Sequence, residues 1–133
     1  MKRLIFLCLY IFLALPCVFA QSPVHNITQN ISYSLIQTAL DFGNTGDTIV
    51  VDPDIYYENI IWPSVNGIKL MSSGDSSNTI INGSGLSDVI IISSNVIDTT
   101  TKITGFGFTN WPDSGTGIKL NQSNPHLSNL SFI

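Results

Sequence analysis

The chain has 133 residues, room for a single domain, and only 11% of them are charged. Globular proteins average roughly 25% charged residues, so this scarcity argues against a helical bundle, whose wet faces need Glu, Lys and Arg. A formal net charge of −4 and a pI near 4.6 exclude a basic nucleic-acid binder, and a high Val, Ile and Leu content excludes disorder.

Residues 1–20 have the anatomy of a secretory signal peptide. Lys2 and Arg3 start it, residues 4–15 form an apolar run, and Val18-Phe19-Ala20 supplies a small-residue cleavage site before Gln21. A retained anchor is the rival reading, but the run is short for a bilayer span. A lipoprotein would need a small residue before Cys17, where Pro16 stands. Cleavage predicts a secreted or cell-surface product with no stable membrane span. Cys8, Cys17 and Arg3 leave with the leader, so the mature chain has no disulfide, no thiol nucleophile and no arginine. Three lysines then face nine acids, a net charge of −6.

Residues 21–33 are polar and read as an irregular lead-in. A helix follows at 34–42. Ser34 and Gln37 have capping-box spacing, Leu35, Ile36, Ala39 and Leu40 make an apolar face, and Gly43 stops it. Beyond it the pattern predicts strands at 48–51, 58–62, 67–71, 79–82, 89–93, 102–109, 117–121 and 127–132. Asn66-Gly67, Ser72-Ser73-Gly74-Asp75 and Asn82-Gly83-Ser84-Gly85 between them carry turn chemistry.

One set of strands starts near Thr48, Ile68, Val89 and Ile118, at steps of 20, 21 and 29 residues. A second runs through Ile60, Ile80, Ile103 and Leu127, at steps of 20, 23 and 24. Periods of this size mean stacked repeats. Trp62-Pro63 through Ile68-Lys69-Leu70 also returns as Trp111-Pro112 through Ile118-Lys119-Leu120, an offset of 49 to 50 residues. An antiparallel sandwich is the alternative, but its hairpins would not produce that echo. The expected fold is therefore all-β: a parallel β-helix of about four coils over 34–133, with a short N-terminal capping α-helix, after a cleaved signal peptide.

Leu35-Ile36-Gln37-Thr38-Ala39-Leu40, followed by Gly46-Asp47-Thr48-Ile49-Val50-Val51, Pro53, Tyr56 and Glu58-Asn59-Ile60, resembles the opening of secreted right-handed parallel β-helix proteins of the pectate-lyase-like superfamily, which includes the pectin methylesterases. Ile103-Thr104-Gly105-Phe106-Gly107-Phe108 and Pro125-His126-Leu127-Ser128-Asn129-Leu130 resemble its generic coil repeat. Asp54 departs from the pattern, which has Gly after this Pro. The chain stops inside a strand at Leu130-Ser131-Phe132-Ile133, so it is expected to be the N-terminal piece of a longer protein, with an uncapped edge open to self-association.

The resemblance implies enzymes that cleave or demethylate acidic polysaccharides. Its lyases use a basic residue, often Arg, with Ca²⁺ held by clustered acids. Its esterases use two Asp steadied by Arg, and its hydrolases combine Asp, His and basic residues. Without arginine, this chain receives no catalytic residue from the family, and any active site is expected beyond Ile133. Asp47, Asp52, Asp54 and Glu58 form the one acidic cluster. Calcium is its conceivable ligand, but turn and backbone hydrogen bonding is the preferred role, and no cofactor is expected. His25 and His126 stand apart from any carboxylate in sequence and are assigned to the surface. The sequons at Asn26, Asn30, Asn82, Asn121 and Asn129 mean glycans only in a eukaryotic secretory host.

Trp62 and Trp111 are expected in equivalent turns two coils apart, roughly 10 Å along the axis at about 4.8 Å per strand, as platforms for alternate sugar rings. Lys69 and Lys119, also two coils apart, would meet acidic sugars. The expected function is thus a secreted, non-catalytic module that binds extracellular polysaccharide or serves as a scaffold. The alternatives are the front of a polysaccharide lyase or pectinesterase-like enzyme, and an adhesin stalk.

Overall fold

Alternating apolar and polar residues interrupted by Asn, Gly and Ser fold into strands of two to four residues. The computed structural model describes residues 22–133, so the leader expected at 1–20 lies outside the described residues. The strands stack as a parallel β-solenoid of about three turns. The first coil comprises β3 (Thr48–Val51), β4 (Ile55–Tyr57) and β5 (Ile60–Ile61). The second comprises β6 (Lys69–Ser72), β7 (Ile80–Asn82) and β8 (Ile90–Ser93). The third comprises β9 (Lys102–Thr104), β10 (Gly107–Thr109) and β11 (Ile118–Asn121). A fourth begins with β12 (His126–Ser128) and β13 (Ser131–Phe132).

Each coil thus contributes to three sheets. Sheet A contains β3, β6, β9 and β12, sheet B contains β4, β7, β10 and β13, and sheet C contains β5, β8 and β11. Inward positions form continuous ladders. Ile49, Leu70, Ile103 and Leu127 stack in sheet A, Tyr56, Ile81, Phe108 and Phe132 in sheet B, and Ile60, Ile90 and Ile118 in sheet C. Phe132 stacks on Phe108 with centroids 5.4 Å apart. Leu120 and Phe132 face inward yet are exposed, because among the described residues no coil lies over them.

The structure sorts the strands differently from the two predicted series. Ile68 does adjoin Thr48's sheet, but the segment at Val89 lies over Ile60 in sheet C, and Ile103 lies over Leu70 in sheet A. A coil has three strands rather than two, and its length varies because the loops vary. The predicted strand at 102–109 is two strands, split where Gly105 takes φ +84°. Asn129 repeats that left-handed corner one coil later at φ 52°, splitting 127–132 in the same way. Strand β4 escaped the sequence reading, since its three residues follow Asp52-Pro53-Asp54 without a clear alternation.

The lead-in is not irregular. It forms β1 (Val24–Asn26) and β2 (Ile31–Tyr33), an antiparallel hairpin that extends sheet A beyond β3. Its strands were hidden because Asn26 occupies a core position, its amide donating to the buried Asp47 carboxylate at 2.8 Å. The hairpin covers the first edge of sheet A.

Helix α1 (Ile36–Asp41) is shorter than the predicted 34–42, and Ser34 does not cap it. Glu58 does so instead, each carboxylate oxygen accepting an N–H at 2.9 Å, from Ile36 and Gln37. Gln37 is then free to pair with the first edge of sheet C. Its amide accepts from the Ile61 N–H at 2.8 Å and donates to the Ile61 carbonyl at 2.9 Å. A side-chain amide thus substitutes for the next peptide of a neighbouring strand. None of the described helices is long and apolar enough to cross a membrane.

Tyr56 locks the corner between β3 and β4. Its hydroxyl donates to the Asp52 carbonyl at 2.6 Å. Burial, together with the charges of Asp54, Asp52 and Glu58, pushes this hydroxyl up to about 12. A raised value means that its contribution is complete below the unfolded value near 10 and is lost as pH rises toward 12. Tyr56→Phe should cost about 0.5–1.5 kcal/mol at neutral pH. It should also flatten the stability loss between roughly pH 10 and 12. Urea denaturation over a pH series checks both.

Candidate ligand-binding face

The outer surface of sheet A follows from the same alternation that builds its core. Because Leu70 and Ile103 point inward, their neighbours Lys69 and Lys102 point outward. Register then sets these lysines directly opposite one another, with Thr48 one strand before and His126 one strand after. Neighbouring strands lie about 4.8 Å apart. Like charges in directly facing positions repel and destabilise the strand pair.

No acid relieves this repulsion: among the described residues neither Lys69 nor Lys102 takes part in an ion pair. They line an open hollow of about 490 Å³ together with Thr45, Thr99 and Thr100. Its wall is held by a tight network. The Asn66 side-chain oxygen accepts from the Asp98 N–H at 3.1 Å and the Thr101 hydroxyl at 2.9 Å, and Thr101 accepts from the Gly67 N–H at 2.8 Å. Gly67 is needed there: it has φ +79°, and an added Cβ would lie 3.3 Å from the Gly46 nitrogen.

Asp98, the nearest acid in sequence, is committed elsewhere. Its carboxylate accepts from the Thr100 hydroxyl at 2.6 Å and the Thr100 N–H at 2.8 Å. Those two bonds, followed by one from Asn66, hold it below the usual carboxylate range. The hollow therefore presents two cations and three threonines to solvent. A second hollow of about 450 Å³ continues the same face across Met71, Ser72, Thr104 and Asn129 toward Asp75.

The four expected glycan-binding residues do not converge. Trp62 pairs with the sheet C ladder, its N–H donating to the Ile91 carbonyl at 2.9 Å, and is 4% exposed. Among the described residues its indole Nε1 has no hydrogen-bond partner. Trp111 follows β10 rather than a sheet C strand, is half-buried, and meets Phe132 edge-on at 6.3 Å. The two Trp-Pro segments therefore occupy different corners of the coil, and neither ring lies open beside the other. Lys119 sits in sheet C and pairs with Asp88 at 3.4 Å, away from Lys69. Lys69 is the one expected residue on the cationic face, and its partner is Lys102. The signal for Lys102 was present in Lys102-Ile103, which repeats the polar-in-front-of-apolar pattern of Lys69-Leu70.

The acidic cluster separates into distinct networks. Asp47 binds Asn26, Gln29 and Asn44, Asp54 accepts from the Ile55 N–H, and Glu58 caps α1. Asp52 overturns the expectation that His25 stands alone. The fold brings its Oδ2 within 3.2 Å of His25 Nε2, while Ser32 Oγ lies 2.8 Å from His25 Nδ1. Sequence spacing concealed this, since the three residues belong to three different strands or strand ends. Of the sequons, Asn26 is fully buried, and the Asn82 side-chain oxygen accepts from the Asn110 amide at 3.1 Å.

No protein-family model matches the chain, and no curated protein or solved structure is significantly similar to it.

Proposed function

We propose that the protein is an exported β-solenoid module that binds an anionic polysaccharide along the outer face of sheet A. The observation that carries this reading is the Lys69–Lys102 pair, stacked in register without an acid partner in a chain of net negative charge. A stability cost retained at an accessible surface is characteristic of functional sites. The flanking threonines supply hydroxyl donors and acceptors suited to sugar hydroxyls. A chain of carboxylated sugars would bring repeated negative charges to these stacked cations. The likeness of residues 35–60 to pectate-lyase-like openings supports the same choice of ligand class.

Affinity electrophoresis through gels containing polygalacturonate, with neutral glucan as the comparison, tests the reading. The wild type should be retarded by the acidic polymer alone, and less so as ionic strength rises and charges are screened. Lys69→Gln combined with Lys102→Gln should abolish the retardation, whereas Lys119→Gln should leave it intact. Equal retardation of the double variant and the wild type would sink the proposal. Lys102→Gln alone should also raise the urea midpoint slightly at low salt, because it removes the facing charge.

A further inference from the structure

We propose that Ser32, His25 and Asp52 form an acyl-transfer site for carboxylic esters. It lies on the same outer face of sheet A as the lysine pair but does not depend on that pair. The three side chains make a continuous relay: Ser32 Oγ to His25 Nδ1 at 2.8 Å, and His25 Nε2 to Asp52 Oδ2 at 3.2 Å. Geometry and roles, rather than sequence order, define such a constellation.

The hydrogen bonds fix the tautomer. A carboxylate only accepts, so the imidazole proton sits on Nε2 facing Asp52. The Nδ1 lone pair is then left toward the Ser32 hydroxyl, as a general base requires. Each member is positioned by something else. His25 is on β1, held between β2 and β3. Asp52 donates its N–H to the Pro23 carbonyl at 2.9 Å, and its other carboxylate oxygen accepts from Ser73 Oγ at 3.1 Å. Ser32 is exposed, so a substrate can reach it.

Register supplies a further element. Along the β1–β3 pair, the Asp52 N–H bonds to the Pro23 carbonyl and the Ile27 N–H bonds to the Thr48 carbonyl. Hydrogen-bonded pairs alternate in antiparallel strands, so His25 spends its backbone groups on Val50. His25 and Ser32 are consequently a non-hydrogen-bonded pair. That geometry brings the two side chains close together, and it directs the Ser32 N–H away from β1, toward the outer edge of β2, where no further strand pairs among the described residues. Among the described residues no acceptor takes the Ser32 N–H, which leaves a donor beside the position where an oxyanion develops.

The step balances with ester and water alone. Ser32 Oγ bonds to the acyl carbon as its proton passes to His25 Nδ1. The C–O bond to the alcohol breaks, and His25 returns the proton to the departing oxygen. Water then attacks the acyl-serine, gives its proton to Nδ1, and Ser32 Oγ recovers that proton as the carboxylic acid leaves.

The test uses the full chain with p-nitrophenyl acetate, and with a fluorophosphonate label mapped by peptide mass spectrometry. The wild type should turn over the ester and take the label on Ser32. Ser32→Ala should lose more than fivefold in turnover. Asp52→Asn should also lose more than fivefold while retaining the serine, since an amide facing Nε2 favours the wrong tautomer. Circular dichroism on both variants confirms that the coils persist. No turnover above buffer, label on another residue, or a folded Ser32→Ala within fivefold of wild type would each overturn the proposal. Because Lys69 and Lys102 remain in every variant, polygalacturonate retardation is scored separately and survives loss of the triad.

Discussion

Trp62→Ala is expected to destabilise the protein by about 3–5 kcal/mol, the usual cost of deleting a buried indole. Trp62 belongs to the core cluster with Ile60, Ile90 and Ile92, and its side chain has no route to solvent large enough to accept a sugar ring. Small domains are stable by roughly 5–15 kcal/mol in total, so this loss consumes a large share. A thermal or urea melt should reveal it directly. Any loss of polysaccharide retention in this variant would then follow from unfolding and not from a missing stacking platform. Trp111→Ala should be milder, since that ring is only half-buried against the core and meets Phe132 edge-on. Trp62→Phe separates two contributions at the buried site. It keeps most of the apolar volume and removes the unpartnered indole N–H, so it should cost much less than alanine. A destabilisation by Trp62→Phe as large as that of Trp62→Ala would mean that the site depends on the full indole shape and not on apolar volume alone.

The solenoid was legible because its determinants are local. Alternation within Ile68-Lys69-Leu70 and turn residues such as Asn66-Gly67 announce strands and corners without reference to the rest of the chain. Which strand lies over which is decided by loop length, and loops here range from the single left-handed residue region at Gly105-Phe106 to the long return between β8 and β9. Sorting the strands into two series by spacing alone therefore misplaced Val89 and Ile103, and with them the Trp and Lys pairs. The echo at Trp62 and Trp111 repeats letters but not positions. It carries one copy into sheet A and the other into sheet C.

The hairpin that carries His25 and Ser32 was illegible for a different reason. Its inward residue Asn26 is polar, and its partner Asp47 lies 21 residues away. A polar core position reads as loop until the buried carboxylate is known. Backbone bonding by Glu58 matches its expected role, whereas the release of Gln37 to pair with Ile61 has no local signal. Both depend on contacts between the cap and the first coil.

That buried carboxylate is where the second large effect is expected. Asp47 Oδ2 accepts from the Asn26 amide at 2.8 Å, the Asn44 N–H at 2.8 Å and the Gln29 amide at 2.5 Å. Burial alone would raise its titration point, but the bonds from Asn44, Asn26 and Gln29 together outweigh it and hold the group below the usual carboxylate range. Asp47→Ala should cost about 3–5 kcal/mol, because it leaves the buried Asn26 donor and the Asn44 N–H without an acceptor, at roughly 1–3 kcal/mol for each unsatisfied group. The sign of the pH dependence follows from the lowered value. The folded state keeps Asp47 ionised where the unfolded chain, near pH 3.9, begins to protonate it. Its contribution is therefore complete above about pH 4 and is lost as pH falls through the folded value. Asp47→Asn keeps the shape and one acceptor oxygen but removes the charge that strengthens all three bonds. Its deficit relative to wild type should be widest near neutrality and narrow in acid, as the wild-type carboxylate takes up its own proton. A deficit that stayed constant through that range would locate the loss in packing. The cap would then be held by the shape of this network and not by its charge, and the hairpin presenting His25 and Ser32 would keep its register at low pH.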